Sequence, residues 1–284
     1  MPVDLQIHTI ATPHHATWEP RALVQAALQA GLDAIAVTDH NTTACVEAAQ
    51  AAGREHGLRV ISGVEIDSGF PAAGRPGAPF KLWHTLIYGA PPTAPALLEL
   101  CETVFARNQA NAQALIAELR GRGFVIEGLE SLGRPANVAD VGTTLARLNQ
   151  LPQRIQGEGD EEAGMRYILE QVPDGYQPIN VEEVIQVAHR LGGLAILAHP
   201  GRSKGIYAIP ADADDIAAMA ARGLDGIEVF YPTHTPEQQA YYRTLAEQHD
   251  LLITGGSDSH GPHHPLAAWP TEACQRFLAR VNTP

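Results

Sequence analysis

The chain has 284 residues, 45% of them hydrophobic and 18% charged, with a formal net charge of −13. That length suits one barrel-sized domain or two smaller ones, and the acidity argues against a general nucleic-acid-binding surface, which needs a basic stripe. Cys45, Cys101 and Cys274 are odd in number and far apart, which speaks against a disulfide framework or a CxxC metal site. No apolar run reaches membrane-spanning length and the first residues lack the regions of a signal peptide. A cytoplasmic enzyme or binding protein is therefore expected, with no membrane contact and no obligate protein partner.

"VDLQIH" opens as a strand, and "TWEPRALVQAALQAG" reads as a helix, with Thr17 placed to cap it, Pro20 in its first turn and Gly31 at its end. "DAIAVT" is a buried strand, "TTACVEAAQAAGREHG" a helix and "LRVISGVEI" a strand. A loop rich in Gly and Pro (69–79) precedes the strand "LWHTLIY". From about 95 to 178 the pattern is helical with hardly any strand. Strand–helix alternation then resumes, with strands at 194–198, 226–230 and 251–255 and helices at 181–191, 212–222, 236–249 and near 271–281. Seven apolar, β-branched strands alternating with helices predict a parallel α/β architecture. A closed barrel fits this count better than an open doubly wound sheet.

In such folds functional side chains gather at the carboxyl ends of strands. All seven predicted strand ends carry His, Asp or Glu. The first delivers His8, then His14 and His15, and the second delivers Asp39 and His40 in "TDHN". Glu65 lies in "GVEI", His84 on the fourth strand and His199 in "AHP". The sixth carries Glu228 and then His234, and the seventh Asp258 and His260 in "GSDSHG". Mixed imidazole and carboxylate donors suit zinc, manganese or iron(II) rather than the all-oxygen shell of calcium. Eight or more such groups exceed what one ion needs, so two or three divalent transition-metal ions are expected, with Glu65 able to bridge a pair. His56, His189, His249, His263 and His264 fall in helices or a Pro-flanked loop and read as solvated or packing residues.

With these residues in hand, "TDHNT", "GVEI", "AHP", "GIEVFYP" and "GGSDSHG" resemble, in order, the signature blocks of the PHP (polymerase and histidinol phosphatase) family of metal-dependent phosphoesterases. The resemblance implies a distorted seven-stranded TIM-like α/β barrel built from 1–94 and 179–284, with a helical insertion or cap over 95–178. It also implies that His8, Glu65 and Asp258 hold a first ion, that Glu65 bridges to a second held by His84 and His199, and that His40 and His260 hold a third. His14 stands where some relatives supply the last ligand, because the aspartate position of others is Pro13 here. Two departures matter. The family's opening H-x-H is "QIH", so Gln6 offers only a neutral amide oxygen, a weak donor beside imidazole. "GRPAN" matches a phosphate-contacting R-P-H block at Arg134 and Pro135, but Ala136 replaces its histidine.

The expected activity is hydrolysis of a small phosphorylated metabolite or nucleotide by a metal-bound hydroxide. Arg134 and Arg202 are the candidate phosphate clamps, and His234 is the candidate proton donor to the leaving group or, equally, a histidine at a helix cap. Asp39 is a candidate support beside the ligands. An amidohydrolase-like enzyme acting on C–N or C–O bonds is the alternative, as is a metal-binding module whose catalysis Gln6 weakens.

Overall fold

The first strand shows how the sequence divides its faces. In β1 (Pro2–Ile7), Val3, Leu5 and Ile7 alternate with Asp4 and Gln6, and all five are fully buried. Ile7 packs outward with Leu23 and Val24 of α1 (Pro20–Gln29) and Val46 and Ala49 of α2 (Val46–His56), while the polar partners face the barrel interior. The computed structural model describes residues 2–12, 16–75, 80–152, 154–172, 174–203 and 209–281. His14 and His15 lie outside the described residues.

The seven strands read from the sequence are present as β1, β2 (Ala34–Val37), β3 (Arg59–Pro71), β4 (Phe80–Tyr88), β6 (Leu194–Leu197), β7 (Gly226–Phe230) and β8 (Leu252–Gly255). Two short strands, β5 (Ile179–Asn180) and β9 (Trp269–Pro270), bring the sheet to nine among the described residues. The order is β8-β7-β6-β4-β3-β2-β1-β9, with β5 beside β3. The segment after β8 returns along β1, where Asp258 N–H donates to the Gln6 carbonyl and His8 N–H donates to the Ser259 carbonyl, both at 2.9 Å. The sheet is thereby nearly closed into a barrel.

The expectation of a parallel sheet is corrected at β4, which runs antiparallel to both β3 and β6. No helix of crossover length separates β3 from β4, and a parallel pair would need one. Part of the expected loop, Gly69 to Pro71, is strand: a Cβ on Gly69 would fall 2.7 Å from the Phe80 ring, so glycine permits the close pairing. Reversal puts His84, at the middle of β4, opposite Asp67, at the same end as the carboxyl ends of the parallel strands. The first helix is also corrected. It starts at Pro20 after Glu19 with no side-chain cap, so Thr17 does not cap it; Thr17 N–H instead donates to the His260 carbonyl at 2.7 Å.

The chain divides into two compact units, one of residues 1–102, 179–202 and 210–284, the other of 103–178 and 203–209. The first adds α6 (Val181–Arg190), α7 (Ala213–Ala220), α8 (Pro236–Gln248) and α9 (Thr271–Arg280) to the sheet. The division falls within α3 (Pro95–Gly121). The second unit is otherwise α4 (Val138–Leu148) and α5 (Asp160–Gln171) around Leu115, Leu119, Val141, Leu145 and Ile168. No described helix is long and apolar enough to cross a membrane.

Candidate metal centre

Glu65 on β3 is the hub of the centre. Fully buried, it places Oε1 2.7 Å from His84 Nδ1 and 3.1 Å from His199 Nε2, and Oε2 3.0 Å from His8 Nε2 and 3.7 Å from His40 Nε2. His8 Nε2 also lies 3.0 Å from Asp258 Oδ1. The His8 ring stacks on both His40 and His260, with centroids 4.6 and 4.2 Å away. Among the described residues, four overlapping trios have donor atoms within 4.8 Å of one another: His8–Glu65–Asp258, Glu65–His84–His199, His8–His40–His260 and His40–Asp67–His84.

Backbone and outer contacts fix these side chains. His199 and Asp258 follow their strands at φ 30° and 56°, a left-handed region that non-glycine residues enter at a cost. Glu228 Oε2 accepts the His199 N–H at 2.9 Å, and the Tyr231 hydroxyl donates to Asp258 Oδ2 at 3.0 Å. Asp39 accepts the Thr9 N–H and the Thr9 and Thr12 hydroxyls, and Thr12 Oγ1 lies 3.2 Å from His8 Nδ1. Asp39 thus supports the loop behind His8 rather than entering the cluster. His260 Nδ1 donates to the Asp258 carbonyl at 2.7 Å, which sets its tautomer and leaves Nε2 as the donor atom.

The electrostatics are those of a site prepared for cations. Burial pushes the Glu65 carboxyl up, but His40, His84, His199 and His8 hold it well below its ordinary range. Burial acts on Asp258 in the same sense and is outweighed chiefly by His8, so it too is ionised. Burial lowers His199 to about 4; burial and the neighbouring His8 lower His260 to about 3, keeping both rings neutral donors. His8 Nε2, His40 Nδ1 and Glu65 Oε2 are buried without a hydrogen bond despite close oppositely polar neighbours. Buried polar atoms are normally paired, so this donor set fits divalent transition-metal ions.

Gln6 lies fully buried where a histidine of H-x-H would stand, and both of its amide atoms lack a hydrogen bond. Gly256 packs on it so closely that a Cβ there would lie 2.3 Å from Gln6 Cβ. Arg202 joins the rim of the cluster, its Nη1 3.8 Å from Asp258 Oδ2. Two expectations change. His234 is buried with Nδ1 donating to the Val229 carbonyl at 2.9 Å and Nε2 accepting the Gly201 N–H at 3.0 Å, so the ring has no proton to hand to a leaving group. Arg134, in the second unit, gives its Nη1 and Nη2 to Asp140 at 2.6 and 2.9 Å, so the guanidinium edge expected to clamp phosphate is occupied.

Asp67, Asn41 and Tyr231 did not emerge from the sequence. Asp67 sits two residues after Glu65 on one strand and so shares its face, a period-two signal that could have found it.

The PHP domain profile matches residues 4–122. A phosphoribosyl 1,2-cyclic phosphate 1,2-diphosphodiesterase of Eggerthella lenta is 30% identical over 265 residues, covering 91% of this chain and 94% of that one. The chain belongs to the PHP domain family. A 5′–3′ exoribonuclease of Escherichia coli is likewise 30% identical, over 275 residues, with 91% and 85% covered. In fold, this PHP protein is similar to a Bifidobacterium adolescentis protein described as a metal-dependent phosphoesterase, with a TM-score of 0.69, 24% identity and 99% and 98% of the two chains covered. This PHP protein is a hydrolase of phosphoric esters.

Proposed function

We propose that the centre holds two or three divalent transition-metal ions and cleaves a phosphate ester in a small, nucleotide-sized compound. The observation that carries this reading is the convergence of His8, His84 and His199 on Glu65, with Asp258 on His8. In this reading His8, Glu65 and Asp258 bind one ion, Glu65, His84 and His199 a second, and His40 and His260 a third with His14. Bound ions supply the positive charge that lowers the pKa of a water and neutralises the phosphoryl oxygens.

The chain's own groups prepare that chemistry. Glu65 and Asp258 stay ionised, His199 and His260 stay neutral, and Asp39 acts through Thr12 to orient His8. Arg202, beside Asp258, is placed to bind phosphate oxygens through charge-assisted hydrogen bonds. The catalytic part is taken as a seven-stranded barrel of 1–94 and 179–284, with 95–178 as an inserted helical domain.

Both named relatives act on phosphodiesters of ribose. The net charge of −13 disfavours a long polyanion and favours a small ester, although an RNA end remains one outcome of the test. Metal analysis of the purified protein should find at least two transition-metal equivalents. Turnover should then be screened on a nucleoside bisphosphate, a ribose cyclic phosphate, a short 5′-phosphorylated RNA and an acylated amide. Glu65→Gln and His40→Ala should lose metal and phosphoesterase activity together. Full activity in a strong chelator, or turnover of the amide alone, would overturn the reading.

A further inference from the structure

The β3–β4 hairpin carries Glu65 and His84 and then continues past the metal centre. Residues directly opposite one another share a face, so the face of Asp67 and His84 runs on through Gly69 with Leu82 to Pro71 with Phe80. The other face of the hairpin is closed. Phe70 and Trp83 are buried there, Lys81 pairs with Asp215 of α7, and the Arg222 guanidinium lies over the Phe70 ring. On the face shared with His84, Leu82 is half-buried and the Phe80 side chain is 42% exposed.

The Phe80 ring is seated against the neighbouring strand. Its Cδ1 and Cε1 approach Gly69 so closely that a Cβ there would fall 2.7 and 2.8 Å from them. Glycine thus lets the backbone of β3 serve as a support for the ring. The only charge on this strip is Asp67, and Asn41 engages it, donating from Nδ2 to Asp67 Oδ2 at 3.0 Å. Leu82 and Phe80 add none, and Lys81 is turned to the other face. A strip without a cation has nothing to hold a second phosphate, but an exposed aromatic ring suits a flat, uncharged one.

Phe80 precedes His84 by four residues, about 13 Å along a strand. A phosphate at the ions beside His84, followed by a ribose and a base, fills such a span. We propose that Phe80, seated on Gly69, is a stacking platform for the base of a nucleotide whose phosphate lies at the metal centre. The substrate class is then base-bearing phosphate esters rather than sugar phosphates. One ring reads the flat surface of a base and not its edge, so purines and pyrimidines are both accepted.

This inference rests on the phosphoesterase reading above, and the test separates the two. Adenosine 3′,5′-bisphosphate and a 5′-phosphorylated RNA dinucleotide are each compared with the same ester carrying an abasic ribose. Wild type should show a KM roughly 5- to 100-fold lower on the base-bearing member of a pair, the worth of one base stacked on an aromatic ring. In Phe80→Ala that advantage should shrink at least fivefold, through KM rather than kcat. Phe80→Leu, which keeps apolar bulk without a π-face, should behave like Phe80→Ala, and Phe80→Trp should restore the advantage. The inference is overturned if the base gives wild type no advantage, if only base-free esters are cleaved, or if Phe80→Ala keeps the wild-type ratio. Failure of wild type to cleave any phosphate ester would overturn the phosphoesterase reading itself. Metal content of each variant, expected to match wild type, controls for damage to the centre.

Discussion

His234 and Gly201 are joined by a hydrogen bond in which the ring Nε2 accepts the backbone N–H at 3.0 Å. With Nδ1 on the Val229 carbonyl, the ring ties the turn carrying His199 to the end of β7, and burial lowers its pKa so that it stays neutral. Thr235 next to it caps α8 by accepting the Gln238 N–H, which accounts for the capping pattern in the sequence. His234→Ala leaves a buried N–H unsatisfied and should cost about 1–3 kcal/mol of stability, read from the urea midpoint. The limbs of the pH–rate profile should not move; displacement of a limb would restore the proton-donor role.

Gln6→His should tighten the ion held by His8, Glu65 and Asp258. An imidazole donor replaces an amide oxygen, with an expected gain of roughly tenfold or more in affinity. Competition against a chelating dye measures this, and kcat on a phosphate ester should rise with it. An unchanged affinity would show that Gln6 lies outside the coordination of that ion.

Arg202→Ala should lower kcat/KM about 10- to 100-fold, the worth of a charge-assisted hydrogen bond to phosphate, without changing metal content. Loss of metal in this variant would instead assign Arg202 to holding Asp258.

Burial raises Asp4 from 3.8 to about 6, although its carboxylate accepts the Ser257 and Ala267 N–H groups at 2.8 and 2.9 Å. A raised folded pKa means that the folded state binds the proton more tightly than the unfolded one. The contribution is fully present below pH 3.8 and is lost as the pH rises through about 6. Relative to Asp4→Asn, wild type should therefore lose on the order of 3 kcal/mol across that window, as measured by denaturant unfolding at several pH values.

Gly164→Ala should disrupt the second unit. A Cβ there would lie 1.8 Å from the Gly142 carbonyl oxygen, backbone against backbone between α4 and α5. Overpacking of this kind costs about 3 kcal/mol, and thermal unfolding should show it.

The strand-end histidines and carboxylates were legible because the fold demands them at fixed places: His8, His40, His84, His199 and Asp258 gather around the Glu65 carboxylate, and His260 joins them through His8 and His40. The direction of β4 was not legible, since a strand's hydrophobic pattern is the same read either way. Nor were the partners of Arg134 and His234. A side chain's residue type states what it can bind, and only packing decides whether Asp140 or a backbone amide has bound it first.

Because the segment after β8 closes on β1, His8 and Asp258 meet across nearly the whole chain. On the ribosome His8 emerges about 250 residues before Asp258, a wait of roughly 12–50 s at ordinary synthesis rates. Throughout that interval the growing chain displays an incomplete set of metal-binding side chains. The trio of His8, Glu65 and Asp258 is therefore complete only after β8 has been made, whereas that of Glu65, His84 and His199 is complete once His199 has emerged.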